Sequence, residues 1–103
     1  MKTFFEQVME QTGRVPRGKV TTYSELSRAI GKPGAQRAVG QALKCNGRPV
    51  IIPCHRVVRS DGSLGGYGGA KESGIRKKVR LLRKEGIEVR NRKIDLKKYL
   101  HRF

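Results

Sequence analysis

Two stretches of helical spacing, separated by a break rich in glycine and proline, constrain the fold of this chain more than any other feature. Thr22-Tyr23-Ser24-Glu25 has the S/T-x-x-E pattern of a capping box, so a helix is predicted to begin near Tyr23. Gly31-Lys32-Pro33-Gly34 is predicted to end that helix. A further helix is predicted over residues 35–44, where apolar residues recur at helical spacing. Such a pair of helices forms either a helix-turn-helix, whose second helix usually contacts DNA, or a plain helical hairpin in a core.

The rest of the chain predicts a small, mainly helical fold. Amphipathic helices are expected over residues 3–12 and 74–85, with a glycine-rich loop over residues 60–74. Val50 to Ile52 is predicted to be a short buried strand or extended segment. The predicted fold class is a mainly α, winged-helix-like helix-turn-helix domain with a very small β element. Residues 1–103 are expected to form a single domain, in which residues 86–103 are a basic C-terminal extension.

The charge balance indicates a polyanionic partner. The 103 residues include 24 Lys and Arg against 8 Asp and Glu, which gives a formal net charge of +16. Such an excess in a short chain points most often to nucleic acid, with an anionic membrane or a ribosomal assembly as the alternatives. From Ala70 onward, 34 positions hold 13 of the 24 basic residues. This basic segment is either solvated charge or an extension of a DNA footprint.

The sequence also predicts a soluble, intracellular and cytoplasmic protein. It contains no apolar run near the roughly 20 residues of a membrane span and no apolar core of a signal peptide at its start. Cys45 and Cys54 are expected to be reduced, with Cys45 a helix-end residue without chemistry. The spacing of the two cysteines and two histidines lacks a zinc-site pattern, and His101 is interpreted as structural.

Pro53-Cys54-His55-Arg56 is the candidate reactive motif. It places a thiol beside an imidazole and a guanidinium at the end of an apolar run. Cationic neighbours favour the thiolate, which is the nucleophilic form of cysteine. Cys54 is therefore a candidate nucleophile, although a cysteine beside a histidine is also commonly a buried and inert residue.

Together with five other blocks, this motif resembles the O6-alkylguanine-DNA alkyltransferases, also called methylated-DNA–protein-cysteine methyltransferases. The resemblance extends over roughly residues 4–88, and its blocks follow the order and spacing of that family. The blocks are Val20-Thr21-Thr22-Tyr23, Arg37-Ala38-Val39-Gly40, Asn46, Pro53-Cys54-His55-Arg56, Leu64-Gly65-Gly66-Tyr67 and Leu81-Leu82-Arg83-Lys84-Glu85-Gly86.

The resemblance implies a catalytic apparatus. Cys54 would attack the alkyl carbon on guanine O6 and keep the alkyl group as a thioether. His55 would act through a water molecule as the base toward Cys54, and Glu85 would orient His55. Tyr23 would donate a proton or hydrogen bond toward guanine N3 as negative charge develops on the base. Asn46 would hold the turn between the helix-turn-helix and the active site.

The resemblance also implies how the substrate is reached. Double-stranded DNA containing alkylated guanine would bind through its minor groove, and Arg37 would fill the space left when the base flips out. The implied DNA contacts are Arg37, Ala38, Gly40, Thr21, Thr22 and Gln36. The implied wall of the alkyl pocket is Pro49, Val57, Tyr67, Gly68 and Gly69, and the carbonyl groups of Cys54 and Val57 would accept from the guanine amine.

The implied protein is a monomeric, single-turnover DNA-repair methyltransferase that needs no metal or cofactor. Full-length members usually carry an N-terminal α/β domain that this sequence lacks, and the stretch between Tyr67 and Glu85 is about four residues longer here. Two other classes stay open. An alkyltransferase-like protein would recognise the lesion without transfer, and such proteins lack the acceptor cysteine that Cys54 supplies. An architectural DNA binder would account for the charge but not for Cys54 and His55.

Overall fold

The computed structural model describes residues 1–47, 51–65 and 72–103. Within these ranges the fold is mainly helical with one very small sheet, which confirms the predicted fold class. The helices are α1 (Phe4–Gly13), α2 (Tyr23–Ala29), α3 (Gln36–Lys44), α4 (Glu72–Lys84) and α5 (Leu96–Tyr99). The strands are β1 (Thr21–Thr22) and β2 (Val57–Val58), and a single 3-10 turn covers Cys54–Arg56.

The first three helices pack around one apolar cluster. α1 begins with a complete capping box between Thr3 and Glu6, which the sequence analysis did not identify. α2 begins as predicted at Tyr23, because the Thr22 hydroxyl accepts a hydrogen bond from the Glu25 backbone N–H at 3.0 Å. α3 contributes the inward stripe of an amphipathic helix. The buried residues of this cluster are Val8, Met9, Leu26, Val39, Ala42, Leu43 and Val57.

The sheet joins the segment before α2 to the segment after the 3-10 turn. β1 and β2 are parallel, with Thr21 opposite Val57 and Thr22 opposite Val58. Residues 50–52 are predicted to be a short buried strand or an extended segment. Ile51 lies in a turn and is 79% exposed, which does not fit a buried strand, whereas Ile52 forms an isolated β-bridge and packs half-buried against the first cluster. Val50 lies outside the described residues.

A second apolar cluster joins α4 to the segment after it. α4 begins two residues earlier than predicted and ends in a Schellman motif, in which Gly86 has φ +84° and the Ile87 N–H donates to the Leu82 carbonyl at 3.1 Å. The chain then returns to β1, where the Val20 N–H donates to the Tyr99 carbonyl at 2.9 Å. Residues 86–103 therefore supply part of the core. The buried residues of this cluster are Val20, Val58, Leu64, Leu82, Ile87, Val89, Ile94 and Tyr99.

Candidate active site

Cys54 lies at the start of the 3-10 turn that leads into β2. Its backbone N–H donates to the Ile52 carbonyl at 2.8 Å, and the Arg56 N–H donates to the Pro53 carbonyl at 2.9 Å. The side chain is half-buried and the thiol is not in a disulfide. Because β2 is fully buried, the turn is anchored in the core and holds the thiol at its edge.

Glu85 connects the two residues that follow Cys54. Its Oε2 lies 3.1 Å from Nε2 of the fully buried His55. Arg56 clamps the same carboxylate in bidentate fashion, with Nε donating to Oε1 at 2.9 Å and a terminal nitrogen donating to Oε2 at 2.6 Å. The other terminal nitrogen of Arg56 donates to the Val15 carbonyl at 2.7 Å. Glu85 is thus fixed beside His55 by a guanidinium that is itself anchored.

The electrostatics of this group favour a neutral imidazole. Burial lowers the pKa of His55 because it disfavours the imidazolium, although the hydrogen bond that His55 donates to Glu85 acts in the opposite direction. Burial alone would raise the pKa of Glu85, but the hydrogen bonds from Arg56 and His55 hold it below its usual value. With an ionised carboxylate facing Nε2, the neutral ring carries its proton on Nε2. Its basic lone pair is then on Nδ1.

Tyr23 lies between α3 and the loop that contains Gly65. A Cβ atom on Gly65 would lie 2.9 Å from the Tyr23 hydroxyl oxygen, and one on Gly40 would lie 3.9 Å from the ring. Burial raises the pKa of Tyr23, Arg59 opposes that change, and negative charge on Cys54 adds to it. The hydroxyl therefore stays protonated at neutral pH, close enough to Cys54 to sense its charge.

Lys78 is a buried cation behind the same site. Its side chain is fully buried in α4, and Nζ donates to the carbonyls of Val57, at 2.6 Å, and Leu64. Burial lowers the pKa of Lys78 to about 7, and negative charge on Cys54 acts to raise it. The ammonium thus connects α4 to β2 and to the loop that approaches Tyr23.

The structure places part of the predicted pocket. Asn46 Nδ2 donates to the Ile52 carbonyl at 3.0 Å, which joins the end of α3 to the segment before Cys54. The Val57 side chain is buried, and its carbonyl already accepts from Lys78. The Cys54 carbonyl accepts from the Val57 N–H. The remaining predicted pocket residues, Pro49, Tyr67, Gly68 and Gly69, lie outside the described residues.

The predicted DNA contacts divide into two groups. Gln36, Arg37 and Ala38 are exposed in the first turn of α3, and Gly40 is half-buried against Tyr23. The side chains of Thr21 and Thr22 are buried, because Thr21 lies in the sheet and Thr22 caps α2. That Thr21 and Thr22 contact DNA stays a prediction.

The sequence assigned no site role to Gly65 or Lys78, and it indicated Arg56 only as a cationic neighbour of Cys54. For Lys78 a signal was present, because position 78 falls on the apolar stripe of α4 with Ile75 and Leu82, where a lysine is unusual. Arg56 and Gly65 both belong to the quoted blocks. Their roles depend on contacts with Glu85 and Tyr23, which are distant in sequence.

Two kinds of feature are absent from the part of the chain that the structure describes. No cluster of three or more His, Cys, Asp or Glu side chains there is placed to hold a metal ion. No helix among residues 1–47, 51–65 and 72–103 has the length and apolar character to cross a membrane.

The fold and site together define a helix-turn-helix domain that presents a cysteine beside a buried His–Glu–Arg cluster. The sequence profile described as "6-O-methylguanine DNA methyltransferase, DNA binding domain" matches residues 3–87. The chain belongs to this family, which confirms the resemblance noted from the sequence.

The chain is similar to several known members. It is 49% identical over 87 residues to a bifunctional methyltransferase/endonuclease of Picrophilus torridus, covering 84% of this chain and 28% of that protein. The structure of S. pombe Atl1 in complex with damaged DNA containing O6-carboxymethylguanine superposes with a TM-score of 0.87 at 30% identity, covering both chains completely. Mycobacterium tuberculosis OGT in complex with DNA has a TM-score of 0.76 at 41% identity, covering 84% of this chain and 50% of that one. The chain spans less than half the length of the curated relatives that it matches.

Proposed function

We propose that this protein repairs DNA by irreversible transfer of an alkyl group from guanine O6 to Cys54, with one turnover per molecule. The observation that carries the proposal is the cysteine at the edge of a turn whose next two residues, His55 and Arg56, both bind Glu85. This is the arrangement of nucleophile, base and orienting carboxylate that activates a thiol. Family membership supplies the substrate class, alkylated guanine in double-stranded DNA.

The proposed step conserves atoms and charge. His55 accepts the thiol proton through a water molecule, and the sulfur attacks the alkyl carbon. The S–C bond forms as the C–O6 bond breaks, and the electron pair passes to guanine. Tyr23 donates a proton to guanine N3, which leaves a neutral base. The thiol proton held by His55 then passes to Tyr23 and restores its hydroxyl. The raised pKa of Tyr23 favours the protonated hydroxyl that this role needs.

DNA would reach Cys54 through α3. Its exposed first turn carries Arg37, which we propose fills the gap left by the flipped base. The Tyr23 ring packs beside Gly40 of the same helix. The Ser24 hydroxyl links α3 to the segment after β2, because it accepts from Gln36 at 3.2 Å and lies 2.9 Å from the Ser60 hydroxyl.

Titration with a lesion-containing duplex tests the proposal. With excess O6-methylguanine duplex, the amount of repaired guanine should stop at one equivalent per protein molecule. Cys54→Ala should bind the duplex with similar affinity and repair none. Repair that continues beyond one equivalent would contradict a single-use acceptor.

Lesion recognition without transfer is the second candidate function. The observation that favours it is the match to S. pombe Atl1, which covers both chains completely. If this function is correct, the wild-type protein will bind the lesion duplex tightly and leave every lesion in place. Cys54 then has no chemical role, and Cys54→Ala will not differ from wild type in any assay.

A further inference from the structure

An open groove of about 780 Å³ lies on the outer side of α4, away from the buried residue Lys78. One wall is the exposed stripe of α4, and the other is the tight turn at residues 90–93, closed by backbone hydrogen bonds between Arg90 and Lys93. The groove is lined mainly by four arginines and two valines, which are Arg76, Arg80, Arg83, Arg92, Val79 and Val89.

The second wall of the groove is held in an uncommon backbone conformation. Asn91 and Arg92 both have positive φ, at 51° and 57°, although neither is glycine. Two contacts hold Arg92 in place. The Leu64 N–H donates to its carbonyl at 3.2 Å, and its guanidinium is ion-paired with Glu72. The segment before the turn is held by Arg83, which donates to the Val89 carbonyl at 2.9 Å.

Two of the four arginines are available to a ligand. Arg76 and Arg80 are exposed, and neither forms a hydrogen bond with any of the described residues. Glu72, whose carboxylate also interacts electrostatically with Arg76, is already paired with Arg92. The groove therefore has an uncompensated positive charge and a preformed shape, which together favour an anion.

The spacing of the arginines matches a nucleic-acid strand. From Arg76 to Arg80 the helix rises about 6 Å. Successive phosphates of one DNA strand are about 3.4 Å apart along the duplex axis, so the two available arginines span about two phosphate steps. No aromatic side chain is among the described residues that line the groove, so it offers no stacking surface for unpaired bases. These features fit the backbone of a duplex, which guanidinium groups bind in bidentate fashion.

We infer that this groove binds the phosphodiester backbone of double-stranded DNA at a second position while α3 contacts the lesion. The inference rests on the proposed function in one respect only, which is that α3 holds the lesion-containing duplex. The two elements belong to different core clusters, because α3 packs on α1 and α2 whereas α4 packs on the 3-10 turn. The backbone comes either from the same duplex beyond the lesion or from a separate duplex.

The experiment compares Arg76→Ala/Arg80→Ala with a control that removes the same charge outside the groove, Lys97→Ala/Lys98→Ala in α5. Binding of undamaged duplexes of about one and about three helical turns is measured as a function of salt concentration. A second assay measures capture of a dye-labelled duplex by protein bound to an immobilised duplex. Repair of O6-methylguanine in the one-turn duplex shows whether the variants keep the function assigned to Cys54.

If the same duplex supplies the backbone, the groove variant will lower the slope of log K against log salt by about two on the long duplex and not on the short one. If a separate duplex supplies it, capture will be lost and the slopes will stay the same. In either case the groove variant will repair the one-turn duplex as the wild type does. If the wild type itself fails to repair that duplex, the result counts against the proposed function alone. Equal behaviour of the groove and control variants would overturn the inference. Arg76- and Arg80-dependent binding of a labelled polyglutamate peptide in preference to the long duplex would also overturn it, in favour of an acidic protein partner.

Discussion

At the scale of single residues, the chemistry depends on how Glu85 is held. A carboxylate next to a buried histidine acts as an orienting group only if it stays ionised and does not turn away. Arg56 secures both conditions, because its bidentate contact favours the ionised form and fixes the plane of the carboxylate. The sequence resemblance assigned roles to Glu85 and His55, but the anchoring of Arg56 to Val15 appears only in three dimensions.

Lys78 makes stability depend on pH. The pKa of Lys78 is about 7 in the folded protein against its ordinary value of 10.5, so between these pH values the unfolded chain binds more protons. The free energy of unfolding is therefore lowered by the full cost of the buried charge below pH 7, and it rises as the pH increases above 7. We expect urea unfolding to show higher stability at pH 9 than at pH 7, by on the order of 2 kcal/mol.

Lys78→Met is the matched variant for this prediction, because it keeps the volume and removes the titrating group. Its stability should lack the rise between pH 7 and pH 9, whatever its absolute value. The same rise in Lys78→Met and in the wild type would show that another group is responsible.

Gly65 is predicted to be a positioning residue for Tyr23. Gly65→Ala would adopt an unfavourable backbone conformation at φ +69° and place a methyl group against the Tyr23 hydroxyl. Gly31→Ala is the control, since Gly31 has φ +74° with open space around it and carries the backbone cost of about 1–2 kcal/mol alone. Gly31→Ala should lose this amount of stability in thermal unfolding, and Gly65→Ala should lose at least as much. Only Gly65→Ala should slow alkyl transfer at least tenfold, and equal transfer rates would remove the role from Gly65.

At the scale of elements, much of the fold was predictable because it depends on local signals. Helical periodicity and the Thr22 cap gave α1, α2 and α3 within one or two residues, and Gly86 marks the end of α4. Within the predicted strand or extended segment at residues 50–52, burial fails at Ile51, where the apolar run favoured it. Whether an apolar residue is buried depends on what covers it, and Ile51 is left exposed by its turn.

The site was predictable only in part for the same reason. The residues of the Pro53-Cys54-His55-Arg56 motif are adjacent in sequence. Lys78, in contrast, acts through the carbonyl groups of residues 14 and 21 positions away. Thr21 and Thr22 belong to a matched block, and their burial also gives them a part in the fold, which the block alone did not indicate.

α3 carries the prediction that separates DNA access from chemistry. Arg37→Ala should repair O6-methylguanine in duplex DNA at least tenfold more slowly, because the extruded base would no longer be replaced in the stack. The reaction with a free O6-alkylguanine base should change little. Lys44→Ala removes one charge from the opposite end of α3 and is the control for general electrostatic attraction. Equal losses on both substrates would show that Arg37 does not act in base flipping.

At the scale of the whole molecule, the basic C-terminal segment serves two purposes. Its charged residues face outward, whereas Ile87, Val89, Ile94 and Tyr99 complete the second apolar cluster. A chain that stops after Gly86 would lose these four buried side chains, each of which contributes about 1.5–3 kcal/mol. Their sum is comparable to the whole stability of a small domain, about 5–15 kcal/mol.

We therefore expect the chain truncated after Gly86 to be unfolded by far-ultraviolet circular dichroism at 25 °C. A chain truncated after His101 keeps the hydrogen bond from the His101 N–H to the Val20 carbonyl and should fold normally. A cooperative unfolding transition in the shorter chain would show that the segment is dispensable for the fold.

Alkyl transfer to one particular sulfur is the central claim, and mass spectrometry of the intact protein tests it most directly. The exposed, free Cys45 is an internal control, because nonspecific methylation would reach it at least as readily as the half-buried Cys54. After incubation with O6-methylguanine duplex, the protein should gain one CH₂ unit, and peptide mapping should place it on Cys54 with Cys45 unmodified. An unchanged mass with the duplex bound, or a methyl group on Cys45, would contradict the claim.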